Sequence, residues 1–369
     1  MAIMESRGHY DRMLFTAVML LLVCGVVMVY SSSSVVALTT YHDASHFMKR
    51  QIVWAAIGLA AMAILMQVDH EKLADKRVVG GLLILTLLLL IATFLPGIGR
   101  TVNGARRWIS AGGARFQPAE LLKFTLVVYL SSYIASKGTR IRDLMNGLVP
   151  AYVVTGTFLL MVLLQPDFGT VMTMSVIMFI MLFAGGANLM HLGGVLALLV
   201  PFAAAAVMFK TYRLKRIMSF LDPWADPQGA GHQIIQSFLA FGSGGVFGRG
   251  LGEGRQKLLF LPERHSDFIY AVIGEELGLV GALGVLVLFC IVLWRGLRIA
   301  RLAADPFSRM LALGITLLIC IQALINMAVV TGLLPTKGIA LPLVSYGGSA
   351  LLVTLASVGV LLNISKSTA

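Results

Sequence analysis

The sequence predicts an all-α polytopic membrane protein with about ten transmembrane helices. Of its 369 residues, 58% are hydrophobic and only 12% are charged, a balance far from that of soluble globular domains. Apolar stretches long enough to cross a hydrocarbon core of about 30 Å also recur along the chain. These stretches lie at residues 13–30, 51–67, 79–95, 118–135, 146–164, 168–185, 188–208, 268–294, 309–332 and 341–363.

Composition and spacing exclude several other classes of protein. The three cysteines, Cys24, Cys290 and Cys320, lie inside apolar runs and lack metal-type spacing, so neither a disulfide framework nor a zinc site is expected. No nucleic-acid-binding pattern is present, and no nucleic acid partner is expected. The first apolar run lacks a small-residue cleavage site, so we interpret it as a retained span. The whole chain, residues 1–369, is predicted to be one membrane domain.

The orientation of the spans follows from the positions of Lys and Arg. An even number of spans places both termini on one side, and we expect that side to be cytoplasmic. The tails and even-numbered loops then carry 13 basic residues and the opposite loops carry 15, which departs from the positive-inside rule. However, 12 of those 15 lie in two segments, residues 96–117 and 209–267.

The two basic segments indicate a ligand on the extracytoplasmic side. Residues 209–267 form a predicted large loop between spans 7 and 8, long enough that its charge has little control over orientation. We interpret the excess of cations as facing an anionic ligand. The alternative is that exposed loops collect charge for solubility, and the net charge of +12 also fits contact with anionic membrane lipids.

Two charged residues, Glu120 and Lys123, enter the fourth predicted span. Their spacing of three places them on one helix face, where they can neutralise each other. One interpretation is a structural ion pair inside the membrane. The other is that Lys123, with Arg115 just outside the span, attracts a ligand phosphate while Glu120 holds the lysine in place.

Asp267 stands at the predicted water–membrane boundary before the eighth span. Partial withdrawal from water raises the basicity of a carboxylate, as a general base requires, although Arg264 and His265 beside it act in the opposite direction. A hydrolase triad of His265, Ser266 and Asp267 is rejected because consecutive side chains point in different directions.

Two further features near this boundary favour structural roles. Glu275 and Glu276 are expected to bond to neighbouring spans inside the bundle. The glycine-rich segment 241–254 lacks the strand and helix that a dinucleotide fingerprint needs. We expect its glycines to let an external loop turn tightly and to offer backbone donors to a phosphate, with Arg249, Arg255 and Lys257 nearby.

Five blocks of sequence resemble one known family, the shape, elongation, division and sporulation proteins, which are polytopic peptidoglycan glycosyltransferases. Four short motifs, DPWADP, QKLLFLPE, IGEELG and LPTKG, are more similar to the division or sporulation branch than to the elongation branch. The blocks are NGARRWISAGGARFQPAELLK (103–123), LLQPDFGT (163–170), DPWADPQGAGHQIIQS (222–237), GRGLGEGRQKLLFLPERHSDFIYAVIGEELG (248–278) and LPTKGIALPLVSYGGSALL (334–352).

The resemblance implies a reaction and a set of residues. Two lipid II molecules, which are undecaprenyl-diphosphate-linked disaccharide-pentapeptides, are joined into a β-1,4 glycan outside the membrane. Asp267 matches the family's essential aspartate and is assigned as the general base. The diphosphate is assigned to Arg115 and Lys123, with Glu120 as an ordering partner. Arg106 and Arg107 are further candidates for the same task.

The resemblance also implies partners and a location. A class B penicillin-binding protein and other divisome proteins are expected at the septum of the bacterial cytoplasmic membrane. No cofactor is certain, because Mg²⁺ or another divalent cation at the lone Asp267 carboxylate would need the substrate diphosphate to complete its coordination. A lipid II flippase and a non-catalytic divisome scaffold remain alternative functions.

Overall fold

A computed structural model describes residues 9–102, 104–111, 114–208, 216, 218–229, 231–254 and 265–367. Helices dominate it, as the composition predicts. Their bounds are α1 Arg12–Tyr41, α2 His46–Leu65, α3 Lys76–Ala92, α4 Pro118–Lys137, α5 Val149–Leu164, α6 Phe168–Ala184, α7 Leu189–Met208, α8 His232–Gly244, α9 Ile269–Glu276, α10 Gly278–Leu302, α11 Pro306–Val330 and α12 Gly348–Lys366.

The ten predicted spans correspond to these helices, with α9 and α10 together in place of the eighth. Within the described part of the chain, six helical stretches are long and apolar enough to cross a membrane by length and composition alone. The remaining predicted spans correspond to helices α3, α4, α6 and α7. The protein is therefore an all-α polytopic membrane protein. The six stretches are Arg12–Tyr41, His46–Leu65, Leu144–Leu164, Gly278–Leu302, Pro306–Val330 and Gly348–Lys366.

Helix α11 forms the centre of the bundle. It packs against α4, α6, α10 and α12, and most of its residues are buried. Small residues allow these close approaches, because a Cβ added at Gly314 would lie 2.6 Å from Val127 of α4, a contact typical of helix packing in membranes. A hydrogen bond of 2.9 Å between the hydroxyls of Thr86 and Thr125 joins α3 to α4.

The basic segment 96–117 folds as a small antiparallel sheet, which the helical patterns did not predict. Its strands are β1 Gly99–Val102, β2 Ala105–Ala111 and β3 Ala114–Phe116, in the order β1-β2-β3. Gly104 has φ +76° at the turn between β1 and β2, a conformation that glycine adopts readily. The sheet carries Arg106, Arg107 and Arg115 between α3 and α4.

The eighth predicted span, residues 268–294, is broken after eight residues of helix. Helix α9 ends at Glu276, and α10 begins at Gly278, whose φ of +67° cannot continue an α-helix. The sequence does not reveal this break, because the apolar run continues through it. A glycine within the run does not mark it either, because glycine is also common inside membrane helices.

The glycine-rich segment 241–254 caps the C-terminal end of α9. The backbone amides of Arg249 and Gly250 donate to the carbonyls of Glu275 and Glu276 at 3.1 and 3.0 Å. These amides therefore cap a helix instead of facing a phosphate. The buried Glu276 carboxylate accepts from Ser31 Oγ of α1 at 2.8 Å.

The last predicted span, residues 341–363, becomes helical only at Gly348. Leu341, Leu343 and Val344 precede the helix and are nevertheless buried. This non-helical stretch packs against α1, where a Cβ added at Gly25 would lie 2.5 Å from the Leu343 carbonyl oxygen. We call residues 331–347 the α11–α12 segment. Part of this segment is thus non-helical backbone buried inside the protein. Such backbone is tolerated at membrane depth only where protein or a cavity surrounds it.

Candidate active site

One cavity of ≈ 1460 Å³ brings together most of the predicted site residues. It opens between α2, α4, α6, the three-stranded sheet and the α11–α12 segment. Five of the six predicted residues line it, and Arg106, exposed on β2, is not among its lining residues. The five are Arg107, Arg115, Glu120, Lys123 and Asp267.

Glu120 and Lys123 form the predicted ion pair on the first turns of α4. Lys123 Nζ lies 2.8 Å from Glu120 Oε2 and donates to Gln322 Oε1 of α11 at 2.8 Å. Gln322 in turn donates to the carbonyl of Ala340 at 3.0 Å. Both charged side chains are buried, so the pair joins α4 to α11 and to the α11–α12 segment at the cavity wall.

Arg107 is held by the connection between α5 and α6. Its Nε donates to the carbonyl of Gln165 at 2.9 Å, and its Nη2 donates to the carbonyl of Pro166. Its Nη1 lies 4.0 Å from Asp167 Oδ1. Asp167 also caps α6 by accepting from the backbone amide of Thr170 at 3.3 Å. Arg107 therefore fastens the sheet to the bundle at the cavity edge.

Arg115 lies on β3 at the cavity wall near the α11–α12 segment. Burial raises the pKa of the Tyr346 phenol, and the positive charges of Arg50 and Arg115 oppose that rise. Both guanidinium groups are therefore within electrostatic reach of Tyr346. Because Arg50 lines the same cavity, it adds a cation that the sequence did not assign to the site.

Asp267 lies in a turn whose three carbonyls are all hydrogen bonded. The amide of Tyr346 donates to the carbonyl of His265 at 2.9 Å, and Ser345 Oγ donates to that of Ser266 at 2.5 Å. Asn326 Nδ2 of α11 donates to the carbonyl of Asp267 at 2.7 Å. The backbone beneath the predicted general base is thus fixed by α11 and the α11–α12 segment.

Asn326 also binds the α11–α12 segment, which lies beside this turn. Its buried amide donates a second hydrogen bond, of 2.6 Å, to the carbonyl of Ile339. One side chain therefore holds Asp267 and the α11–α12 segment together. Sequence analysis did not assign this role, because Asn326 is one of several polar residues in the ninth predicted span and lies 59 positions from Asp267.

The Asp267 carboxylate lies close to the backbone of Gly338. A Cβ added at Gly338 would be 2.9 Å from Asp267 Oδ2, so a glycine is required there for the carboxylate to keep its place. The neighbouring Lys337 also lines the cavity. The sequence analysis assigned no role in the site to Lys337.

The aromatic wall of the cavity includes His265. Its ring centroid lies 4.9 Å from that of Phe47 and 5.7 Å from that of Tyr346, and the neighbouring Tyr41 and His46 rings stack at 4.0 Å. Three cations named in the sequence analysis, Arg255, Lys257 and Arg264, lie outside the described residues.

The residues present were tested as a metal site. Among the described residues, no three His, Cys, Asp or Glu side chains converge on one point. A divalent cation at Asp267 would therefore need ligand oxygens from a bound diphosphate, and its presence stays a prediction.

Comparison with known proteins identifies the family. The family model FTSW_RODA_SPOVE, described as "Cell cycle protein", matches residues 11–369. The chain belongs to this family. Among its curated relatives, the probable peptidoglycan glycosyltransferase FtsW of Geobacter metallireducens is 47% identical, over 97% of this chain and 95% of the relative. Stage V sporulation protein E of Bacillus subtilis is 42% identical, over 96% and 97% of the two chains.

Solved structures of the family share the fold. A chain of the structure described as "Structural coordination of polymerization and crosslinking by a peptidoglycan synthase complex" superposes with a TM-score of 0.80 at 31% identity, covering 97% of this chain and 98% of that one. The rod shape determining protein RodA of Thermus thermophilus gives a TM-score of 0.69 at 27% identity, with 97% of each chain covered. The resemblance seen in the sequence motifs is thereby confirmed.

Proposed function

We propose that this membrane protein is a peptidoglycan glycosyltransferase that polymerises lipid II into β-1,4 glycan strands. The observation that carries the proposal is the position of Asp267, which shares one cavity with Arg107, Arg115 and Lys123. A carboxylate beside several cations suits a reaction that removes a proton from a hydroxyl and releases a diphosphate. Relatives named as peptidoglycan glycosyltransferases are 47% identical over nearly the whole chain, which supports the same activity here.

Asp267 acts as the general base in the proposed mechanism. Its carboxylate takes the proton from the 4-hydroxyl of the acceptor GlcNAc, and that oxygen attacks C1 of the donor sugar. The bond from C1 to the diphosphate oxygen breaks, and the lipid diphosphate leaves with the bonding electrons. Because an α-linked diphosphate becomes a β-linkage, one inverting displacement with one base suffices.

The cations of the cavity serve the two lipid diphosphates in this proposal. Arg115 and Lys123 bind phosphate oxygens, and Glu120 orders the lysine through the 2.8 Å ion pair. Arg107 shapes the cavity edge through its bonds to the α5–α6 connection. A bound divalent cation would supply further charge neutralisation at the diphosphate, and loss of activity on chelation, restored by Mg²⁺, tests for it.

Purified protein supplied with lipid II in detergent tests the proposed activity. Glycan strands resolved by gel electrophoresis are expected, because polymerisation needs no second compartment. A flippase or a scaffold would yield no glycan under these conditions, and that result would discard the proposal.

The partner and the orientation are part of the same proposal. The structural relative from a peptidoglycan synthase complex supports a class B penicillin-binding protein as the crosslinking partner, acting with divisome proteins at the septum, and co-purification from membranes tests this assembly. Both termini are placed in the cytoplasm and residues 209–267 outside. Labelling of a cysteine introduced at Trp224 by an impermeant maleimide in intact cells tests that orientation.

A further inference from the structure

The cations of the cavity differ in whether a carboxylate already neutralises them. Lys123 has Glu120 at 2.8 Å, and Arg107 has Asp167 at 4.0 Å. Among the described residues, no Asp or Glu oxygen lies within ion-pair distance of Lys337. Lys337 is therefore a cavity cation without a carboxylate partner among the described residues, and the sequence analysis left it out of the site.

The contacts of Lys337 are with neutral groups. Its Nζ lies 2.6 Å from the Met172 sulfur and 4.8 Å from the centre of the Phe168 ring, both on α6. Burial, followed by repulsion from Arg216, lowers the pKa of Lys337 to about 8. A half-buried ammonium without a counter-ion is costly in a protein, and a bound anion would offset that cost.

Arg216 adds a second positive group at the same place. Its Nη1 donates to the carbonyl of Thr336 at 3.4 Å, and both Arg216 and Lys337 line the cavity. Two cations side by side repel each other, and an anion between them removes that repulsion.

Lys337 is also next to the predicted general base in the structure. The Asp267 carboxylate contacts Gly338, the residue after Lys337, yet Lys337 forms no ion pair with Asp267 within the described part of the chain. In an inverting displacement, the base and the leaving group face opposite sides of one carbon atom. A cation that lies near the base without forming an ion pair with it suits the leaving diphosphate.

We propose that Lys337, with Arg216, binds the diphosphate of the donor lipid and stabilises it as it leaves. The subsite made by Arg115 and Lys123 then holds the diphosphate of the acceptor lipid. In the acceptor, the disaccharide separates this diphosphate from the attacking hydroxyl. This inference rests on the proposed function for the assignment of donor and acceptor. The anion subsite itself rests only on the contacts and charge of Lys337.

Binding of a short-chain polyprenyl diphosphate to the full-length protein in detergent tests the subsite. We expect Lys337→Met to lower the affinity about tenfold or more, because a charge-assisted hydrogen bond is lost. Lys337→Arg keeps the charge and is expected to bind within about threefold of the wild type. Lys137→Met is a matched control, since Lys137 also lies over an aromatic ring, 5.4 Å from the centre of Tyr133, but does not line the cavity.

The pH dependence of binding gives a second readout. The Lys337 ammonium is lost as pH rises through about 8 in the free protein, so wild-type affinity should fall between pH 7 and pH 9. The Lys337→Met variant should lose most of this dependence. A folded Lys337→Met protein that binds as tightly as the wild type, with the same pH profile, would overturn the proposal.

The same preparations separate this inference from the proposed function. If the wild type makes no glycan from lipid II but binding still depends on Lys337, the glycosyltransferase proposal fails and the diphosphate subsite stands. If the wild type makes glycan and Lys337→Met retains the wild-type rate and diphosphate affinity, the function stands and the subsite fails.

Discussion

Asn326 shows how a single buried side chain positions the reacting group. Its amide bonds to the carbonyls of Asp267 and Ile339 at 2.7 and 2.6 Å, so both sides of the cavity wall depend on it. A buried carbonyl that loses its donor costs about 1–3 kcal/mol. The turn that carries Asp267 can shift to recover such bonds, and small shifts of a general base have large effects on rate.

We therefore expect Asn326→Leu to lower kcat for glycan formation by about tenfold or more while KM for lipid II changes little. Thr331→Val, directly after the same helix, is the matched control, because among the described residues the Thr331 hydroxyl donates to carbonyls of α11 alone. Ser345→Ala, which removes the bond to Ser266, should reproduce a weaker form of the kcat effect. Equal kcat in Asn326→Leu and the wild type would remove Asn326 from the positioning role.

Sequence reasoning found only part of this arrangement at the residue scale. Asp267, Glu120 and Lys123 were identifiable because a charge at the edge of an apolar span is costly and therefore noticeable. Asn326 and Lys337 were not, since their importance comes from contacts between positions far apart in the chain. Whether a lysine has a carboxylate partner is decided by tertiary structure, which spacing does not reveal.

At the scale of elements, the break between α9 and α10 sets the position of the site. Gly278 has φ +67°, and a Cβ there would lie 2.3 Å from the amide nitrogen of Gly248 and 2.5 Å from the carbonyl oxygen of Val246. The glycine-rich segment can cap α9 only because this position lacks a side chain. Because of the break, α9 does not have to continue the axis of α10. The turn at Asp267, directly before α9, can therefore lie against the α11–α12 segment.

Gly278→Ala is expected to destabilise the protein by at least about 2 kcal/mol, from the positive φ together with the backbone contacts. Gly284→Ala is the matched control on α10, because a Cβ there meets nothing within 4 Å and alanine favours a helix by about 1 kcal/mol. Thermal unfolding in detergent measures both variants. A Gly278→Ala protein as stable as Gly284→Ala would contradict the account of the break.

Hydropathy predicted where the helices lie but not how they are interrupted. The apolar runs marked all ten spans, because burial in lipid requires about twenty apolar residues whatever the tertiary structure. The break at Gly278, the late start of α12 at Gly348 and the three-stranded sheet were missed. Each depends on backbone contacts made by a neighbouring segment, which a periodic pattern does not report.

At the scale of the whole molecule, the cavity gathers cations from the side predicted to be extracytoplasmic. Apart from Lys123, the Lys and Arg residues that line it all come from the side predicted to be extracytoplasmic. Three acidic residues, Glu120, Asp167 and Asp267, line it as well, so the cavity has an excess of positive charge among the described residues. Such an excess attracts an anionic ligand. The cations are Lys49, Arg50, Arg107, Arg115, Lys123, Arg216 and Lys337.

The sequence predicted this anionic ligand from the uneven placement of Lys and Arg alone. It could not predict the cavity, which requires α2, α4, α6, the sheet and the α11–α12 segment to meet at one place. The reaction entered only through the resemblance of the motifs to a known family, because charge and hydropathy define a kind of ligand and not a chemical step.

The rate of glycan formation from lipid II by purified Asp267→Asn, compared with the wild type, tests the central claim most directly. Asparagine keeps the size of the side chain but cannot accept the hydroxyl proton, so we expect the rate to fall by at least about a hundredfold. Binding of a polyprenyl diphosphate and the melting temperature should stay close to wild-type values. Glycan formation by Asp267→Asn at the wild-type rate would contradict the assignment of Asp267 as the base.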